Sequence, residues 1–62
     1  MRAYDWSVHL YYGHIYHGHN RELSTYVKNS PIIACFSSEW ESNYFVDRMI
    51  AKGFIDSTGK II

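Results

Sequence analysis

Hydrophobic and polar residues alternate along the first part of the chain. Every second position is aromatic or aliphatic: Tyr4, Trp6, Val8, Leu10 and Tyr12, with Ala3, Asp5, Ser7, His9 and Tyr11 between them. A period of two residues in a segment rich in aromatic and branched side chains is typical of a β-strand that buries one face. The pattern therefore predicts a strand over residues 3–12.

The segment that follows is open to two interpretations. Gly13 interrupts the alternation, and Gly18 interrupts it again. Either the chain turns near Gly13 and a second strand starts at once, or residues 13–20 form a loop. The alternation resumes with Leu23, Thr25 and Val27, so we predict a strand over residues 21–27.

A turn and a third strand are predicted next. Residues 28–31 contain Asn29, Ser30 and Pro31, which favour turns, and proline also lacks a backbone donor. Residues 32–36 form a short continuous apolar run. Its length and its branched residues favour a buried strand over a helix.

Residues 39–52 carry the start and stop signals of an α-helix. Ser38 and Glu41 match a capping box, in which each side chain bonds the backbone amide of the other residue. Gly53 stands where a left-handed C-terminal cap is expected, and Phe54 can pack back on the last turn. We therefore predict a helix over residues 39–52.

The same helix has a wide apolar surface. On a helical wheel Glu41, Arg48 and Lys52 form one narrow polar stripe, and most of the remaining circumference is apolar, interrupted by Asn43 and Asp47. An ordinary surface helix shows a narrower apolar stripe than this. We therefore expect other parts of the protein to cover the helix on more than one side.

The end of the chain has the pattern of a short β-hairpin. Residues 54–55 and 60–62 flank a turn over 56–59, with Gly59 in the left-handed position. The order of elements predicts an α+β fold in a single domain over residues 1–62: a three-stranded antiparallel sheet from residues 3–36, one α-helix and a C-terminal hairpin. The residues predicted to form the core are Trp6, Val8, Leu10, Leu23, Val27, Ile33, Cys35, Val46, Met49, Ile50 and Phe54.

Charge and length limit the classes of function. The 62-residue chain has six Lys and Arg against six Asp and Glu, and its dispersed basic residues do not favour nucleic acid or an anionic membrane. No run approaches the roughly 18 apolar residues of a membrane-spanning helix, and the N-terminus lacks the apolar segment of a signal peptide. The single cysteine, Cys35, excludes an intrachain disulfide. We expect a soluble protein of the reducing cytoplasm.

Three histidines form a candidate metal site. His14, His17 and His19 fall within six residues, and three imidazoles with a water can coordinate zinc, nickel or copper. Their spacing matches no specific metal motif, and the nearest following carboxylate is Glu22. The competing interpretation, which we favour, is a polar loop with solvated histidines.

The sequence offers little for catalysis. Cys35 lies in an apolar run with no basic residue beside it to activate the thiol. There is no nucleophile elbow, no glycine-rich phosphate loop and no pair of carboxylates. We predict a protein that is not an enzyme and needs no cofactor.

Two binding functions follow from the aromatic content, which is two Trp, six Tyr and three Phe. One is nucleic-acid binding, because His9 and Tyr11 on the outward face of the first strand could stack bases. The other, which we favour, is docking to a protein partner or to a second copy, because Tyr and Trp are enriched at interface hot spots. A small stoichiometric regulator or inhibitor, such as those of phages and mobile elements, has this character. The predicted partner-binding residues are Trp40, Tyr44, Phe45, Tyr11 and Tyr26.

Overall fold

The computed structural model describes residues 3–27 and 29–62 of the chain, and it confirms the predicted α+β class. Three strands form one antiparallel sheet, and two helices pack against it. The elements in chain order are β1 (Trp6–Tyr11), β2 (His14–His19), α1 (Asn20–Tyr26), β3 (Ile32–Phe36) and α2 (Glu39–Ala51).

The sheet has the strand order β2-β1-β3, so β1 lies in the centre. β1 and β2 form a hairpin in which Trp6 lies opposite His19 and Tyr11 lies opposite His14. The two turn residues, Tyr12 and Gly13, have φ values of 47° and 75°. Two-residue hairpin turns commonly need such positive φ values. The second strand therefore starts directly after Gly13, and the alternative of a loop over residues 13–20 is wrong.

The strand predicted over residues 21–27 is also wrong, because this segment contains the helix α1. Leu23 and Val27 are buried, and a spacing of four residues fits one face of a helix as well as one face of a strand. A tertiary contact decides between them. The amide of Asn20 donates to the Asp5 carbonyl oxygen (2.7 Å), and its side chain donates to the Tyr4 carbonyl oxygen (2.9 Å). These bonds hold the first residue of α1 beside the start of β1.

The predicted strand over residues 32–36 is confirmed, but it is an exposed edge strand and not a buried one, and it contains an irregularity. Ala34 pairs with Val8 and Ile32 pairs with His9, so Ile33 is an extra residue in the ladder. Such a bulge changes which side chains share a face of the strand. Ile33 and Cys35, both predicted in the core, are exposed, whereas Ala34 and Phe36 pack towards the core.

The centre of the core is formed by Val8, Ile15, Val46 and Ile55. The prediction of buried positions is right for Val8, Leu23, Val27 and Val46, and wrong for Phe54, which is exposed. Trp6, Leu10, Met49 and Ile50 are partly buried. Ile15 and Ile55 are not among the predicted core residues, because neither belongs to an alternating run: Tyr16 follows Ile15 directly, and Phe54 directly precedes Ile55.

The ends of α2 agree with the prediction in all but one contact. Gly53 has a φ of 82°, and the Phe54 amide donates to the Met49 carbonyl oxygen (3.1 Å), as in a Schellman ending. At the other end the capping box is displaced by one residue. The Glu41 carboxylate accepts from the backbone and hydroxyl of Ser37, both at 3.2 Å, whereas the hydroxyl of Ser38 makes no capping bond.

The C-terminal segment folds back on itself, with bridges rather than a full ladder. Ile55 pairs with Ile61, and Lys60 pairs with His14 at the beginning of β2. The Ile15 amide donates to the Gly59 carbonyl oxygen at 2.7 Å. The predicted hairpin is therefore present in part, and it is attached to the sheet through β2.

Of the two glycines Gly53 and Gly59, Gly59 should tolerate substitution less well. Its φ is 91°, and a Cβ atom would lie 2.8 Å from the Ile15 carbonyl oxygen. Gly53 has a similar φ of 82°, but a Cβ atom there would meet no atom within 4 Å. We expect Gly53→Ala to lower the free energy of unfolding by roughly 1–2 kcal/mol, and Gly59→Ala to lower it further. Urea denaturation of both variants measures the difference. Equal losses would show that the close approach to Ile15 is not important.

Asp56 should make the C-terminal turn sensitive to acid. Hydrogen bonds from the Thr58 hydroxyl and from the backbone amides of Lys60 and Thr58 hold the pKa of Asp56 below its ordinary value of 3.8. The stabilisation is therefore present above that value and is lost as the pH falls through the lower pKa of the folded state. We expect Asp56→Asn to be less stable than the parent protein at neutral pH, with a smaller difference in acid. Urea denaturation at both pH values, with Asp47→Asn as the control, tests this.

Candidate interaction surfaces

One side of α2 carries an open apolar groove, which we call the α2 groove. Its volume is about 290 Å³, and it lies between the helix and the last residue of β3. Phe36 and Phe45 are partly buried in it, with ring centroids 5.5 Å apart. They join the groove to the core. The groove is lined by Phe36, Trp40, Glu41, Tyr44, Phe45 and Arg48.

Most of the aromatic surface of α2 faces solvent. The buried residues of the helix, Ser42 and Val46, are four apart and form one inward stripe. Trp40 and Tyr44 form a second stripe with the same spacing, and their side chains are 68% and 61% exposed. The expectation that other parts of the protein cover this helix on more than one side is therefore wrong. The helix covers the sheet with one face and presents large rings on another.

The five predicted partner-binding residues do not form one surface. Trp40, Tyr44 and Phe45 lie together in the α2 groove. Tyr26 is 68% exposed on α1. Tyr11 lies on the face of the sheet opposite to that of the buried residue Val8, because successive side chains along β1 point to opposite faces.

Tyr11 belongs to a second group of rings. Its ring centroid lies 4.5 Å from that of Tyr12 and 6.0 Å from that of Tyr16. The His14 ring lies 6.3 Å from Tyr16 in turn. These residues come from the hairpin end of β1 and β2, and they form the aromatic patch of the sheet.

A polar cleft of about 490 Å³ lies where α1 and the following turn approach the sheet. At its centre, His9 Nδ1 lies 2.8 Å from Ser30 Oγ and His9 Nε2 lies 2.9 Å from Ser7 Oγ. The Ser30 hydroxyl donates to the Val27 carbonyl oxygen and the Ser7 hydroxyl donates to Asn20 Oδ1, both at 2.6 Å. Each hydroxyl has a single hydrogen, so towards His9 it can only accept. His9 therefore links Ser7 on β1 to Ser30 in the turn after α1.

The pairing of a serine with a histidine in this cleft does not create an activated nucleophile. Ser7 is only 1% exposed, and its hydroxyl hydrogen is directed to Asn20 rather than to His9. A general base has to accept that hydrogen from the nucleophile. Cys35 lies across the ladder from Ser7, lines the same cleft and is exposed. The hydrogen bonds of Ser7 and His9 join α1 and the turn after it to the sheet.

The structure does not bring the three candidate metal ligands together. His17 lies opposite Val8 in the ladder, whereas His14 lies opposite Tyr11, so the two project from different faces. His19 has a structural role, because its Nδ1 accepts from the Arg21 amide (3.1 Å) at the start of α1. In residues 3–27 and 29–62, no three His, Cys, Asp or Glu side chains are placed to hold a metal ion.

Neither helix within the described residues is long and apolar enough to cross a membrane. Comparisons with protein-family models, with curated proteins and with solved structures give no match to this chain. Its function therefore has to be inferred from its own surfaces.

Proposed function

We propose that this chain is a non-catalytic protein-interaction module that binds a protein through the α2 groove. The observation that carries the proposal is the exposure of Trp40 and Tyr44 beside the half-buried rings of Phe36 and Phe45. Large apolar rings in contact with water are unfavourable, and their burial against a partner would be favourable. Tyr and Trp also lose little side-chain entropy when they become fixed.

The groove has the structure expected of a binding hot spot. Trp40, Tyr44 and Phe45 are carried by a helix of 13 residues, which is held by the bonds of Ser37 to Glu41 at its start and by a Schellman ending, so little backbone ordering is needed on binding. Glu41 and Arg48 provide charges at its sides. Apolar centres with polar edges are typical of protein interfaces.

The proposal includes a role as a small stoichiometric regulator or inhibitor, without enzymatic activity or cofactor, in the cytoplasm. The exposed thiol of Cys35 suits a reducing compartment. A phage or mobile element is the source that we expect.

Alanine substitutions in the groove test the proposal. We expect Trp40→Ala and Tyr44→Ala to weaken capture of a partner from an extract of the source cells by at least about tenfold, since both would be hot spots. Both side chains are exposed, so circular dichroism should show unchanged folding. Tyr26→Ala is the matched control, because Tyr26 is as exposed as Trp40 but lies outside the groove. Equal capture by the unmodified protein and by all three variants would contradict the proposal.

A second candidate function is single-stranded nucleic-acid binding on the aromatic patch of the sheet. The clustered rings of Tyr11, Tyr12 and Tyr16 favour it, because exposed rings on a sheet can stack bases. It ranks second because the balanced charge of the chain provides no basic stripe for the phosphates.

Fluorescence anisotropy with a labelled single-stranded oligonucleotide tests this second candidate. Nucleic-acid binding predicts an affinity that falls steeply with salt through contacts to the phosphates, and stacking predicts that Tyr16→Ala reduces the affinity about fivefold or more. The absence of binding at low salt would eliminate the candidate.

A further inference from the structure

The outer edge of β3 offers backbone groups for pairing. In the described part of the chain β3 pairs with β1 alone, so its second edge has no strand beside it. Natural edge strands are usually protected by charged side chains, by proline or by a covering segment. The five residues of β3 include no charge and no proline, and Ile32 is exposed. The bulge at Ile33 is the one protective feature within this strand.

The open edge and the α2 groove are parts of one surface. Phe36, the last residue of β3, lines the groove together with Trp40 near the start of α2. At the other end, Ile33 and Met49 line a common depression. The helix therefore runs back along β3 in the opposite direction. With about 3.3 Å per strand residue and 1.5 Å per helix residue, Ala34 and Tyr44 lie at similar heights along this surface.

The charges along α2 are arranged so that the surface complements itself. Glu41 lies in the first half of the helix and Arg48 lies in the second half, and both line the groove. The midpoint between them falls at Tyr44 and Phe45. A two-fold axis at this midpoint would place Glu41 of one copy beside Arg48 of the other, twice. Trp40 of each copy would then lie near the Arg48 guanidinium of the other copy, which favours a cation–π contact.

We propose that the partner is a second copy of this chain, which pairs β3 with β3 and α2 with α2 in antiparallel fashion about a two-fold axis near Ala34 and Tyr44. The two three-stranded sheets form one continuous sheet, and the two α2 grooves face each other. This inference rests on the proposed function and names its partner. A two-fold contact uses the same surface on both copies, so association stops at a dimer. The Glu41 carboxylate of each copy faces Arg48 of the other copy across the axis, and it keeps its bonds to Ser37.

Crosslinking at the axis tests the geometry. We expect Tyr44→Cys in a Cys35→Ser background to form a disulfide-linked dimer on mild oxidation, because only residues near the axis meet their own copies within disulfide distance. Asp47→Cys in the same background is the matched control, as it is exposed on the same helix but does not line the groove. It should remain monomeric on a non-reducing gel. Equal crosslinking of the two variants would overturn the proposed axis.

Charge substitutions at the same position provide a second test that does not depend on oxidation. Tyr44→Lys and Tyr44→Glu should each sediment as a monomer, because like charges would meet at the axis. An equimolar mixture of the two should sediment as a dimer, because the charges then attract. Failure of the mixture to associate, with both variants folded by circular dichroism, would overturn the proposal.

Sedimentation of the unmodified protein separates this inference from the proposed function. A dimer at micromolar concentration is expected. A monomer that still captures a foreign protein through Trp40 would overturn the two-fold pairing and leave the proposed function intact. A dimer unaffected by Tyr44→Lys, together with capture unaffected by Trp40→Ala, would overturn both.

Discussion

The fold depends on the burial of both faces of the central strand. Ser7 and Val8 are neighbours on β1 and point in opposite directions, yet they are 1% and 0% exposed. A chain of 62 residues therefore has to place a covering element on each side of a three-stranded sheet. α2 and the C-terminal segment cover the side of Val8, where Val46 and Ile55 complete the core. α1 and the turn after it approach the side of Ser7.

The two sides of the sheet are covered by different kinds of interaction. The side of Val8 is stabilised by apolar contact, whose contribution grows with the area removed from water. The side of Ser7 adds directed hydrogen bonds to the burial of Leu23 and Val27. His9 joins β1 to Ser30, and Ser7 joins it to Asn20. Buried polar groups are costly unless they are satisfied, so this network also defines where α1 can lie. The polar cleft is thus a consequence of how the fold is closed.

The same constraint explains the exposed aromatic surface. A single helix has to cover three strands, and only one stripe of it can face the sheet. Ser42 and Val46 occupy that stripe, so the rings of Trp40 and Tyr44 are left on the outside. A sheet of three strands also leaves β3 as an edge. The proposed interaction surface therefore lies where this small fold is unable to cover itself.

Elements with strong local signals can be recognised from the sequence alone. The alternation of β1, the apolar run of β3 and the capping residues of α2 act over a few neighbours, so they can be recognised without the fold. Long-range contacts resolve what local patterns leave ambiguous. Leu23 and Val27 fit a strand or a helix, and the bonds of Asn20 to the start of β1 select the helix. The pairing of β3 with β1, in which Ala34 lies opposite Val8 and Phe36 opposite Trp6, decides which residues of β3 face the core. The placement of α2 decides that Trp40 and Tyr44 face solvent. These outcomes depend on contacts between residues distant in sequence, because burial is a property of the assembled layers and not of any one segment.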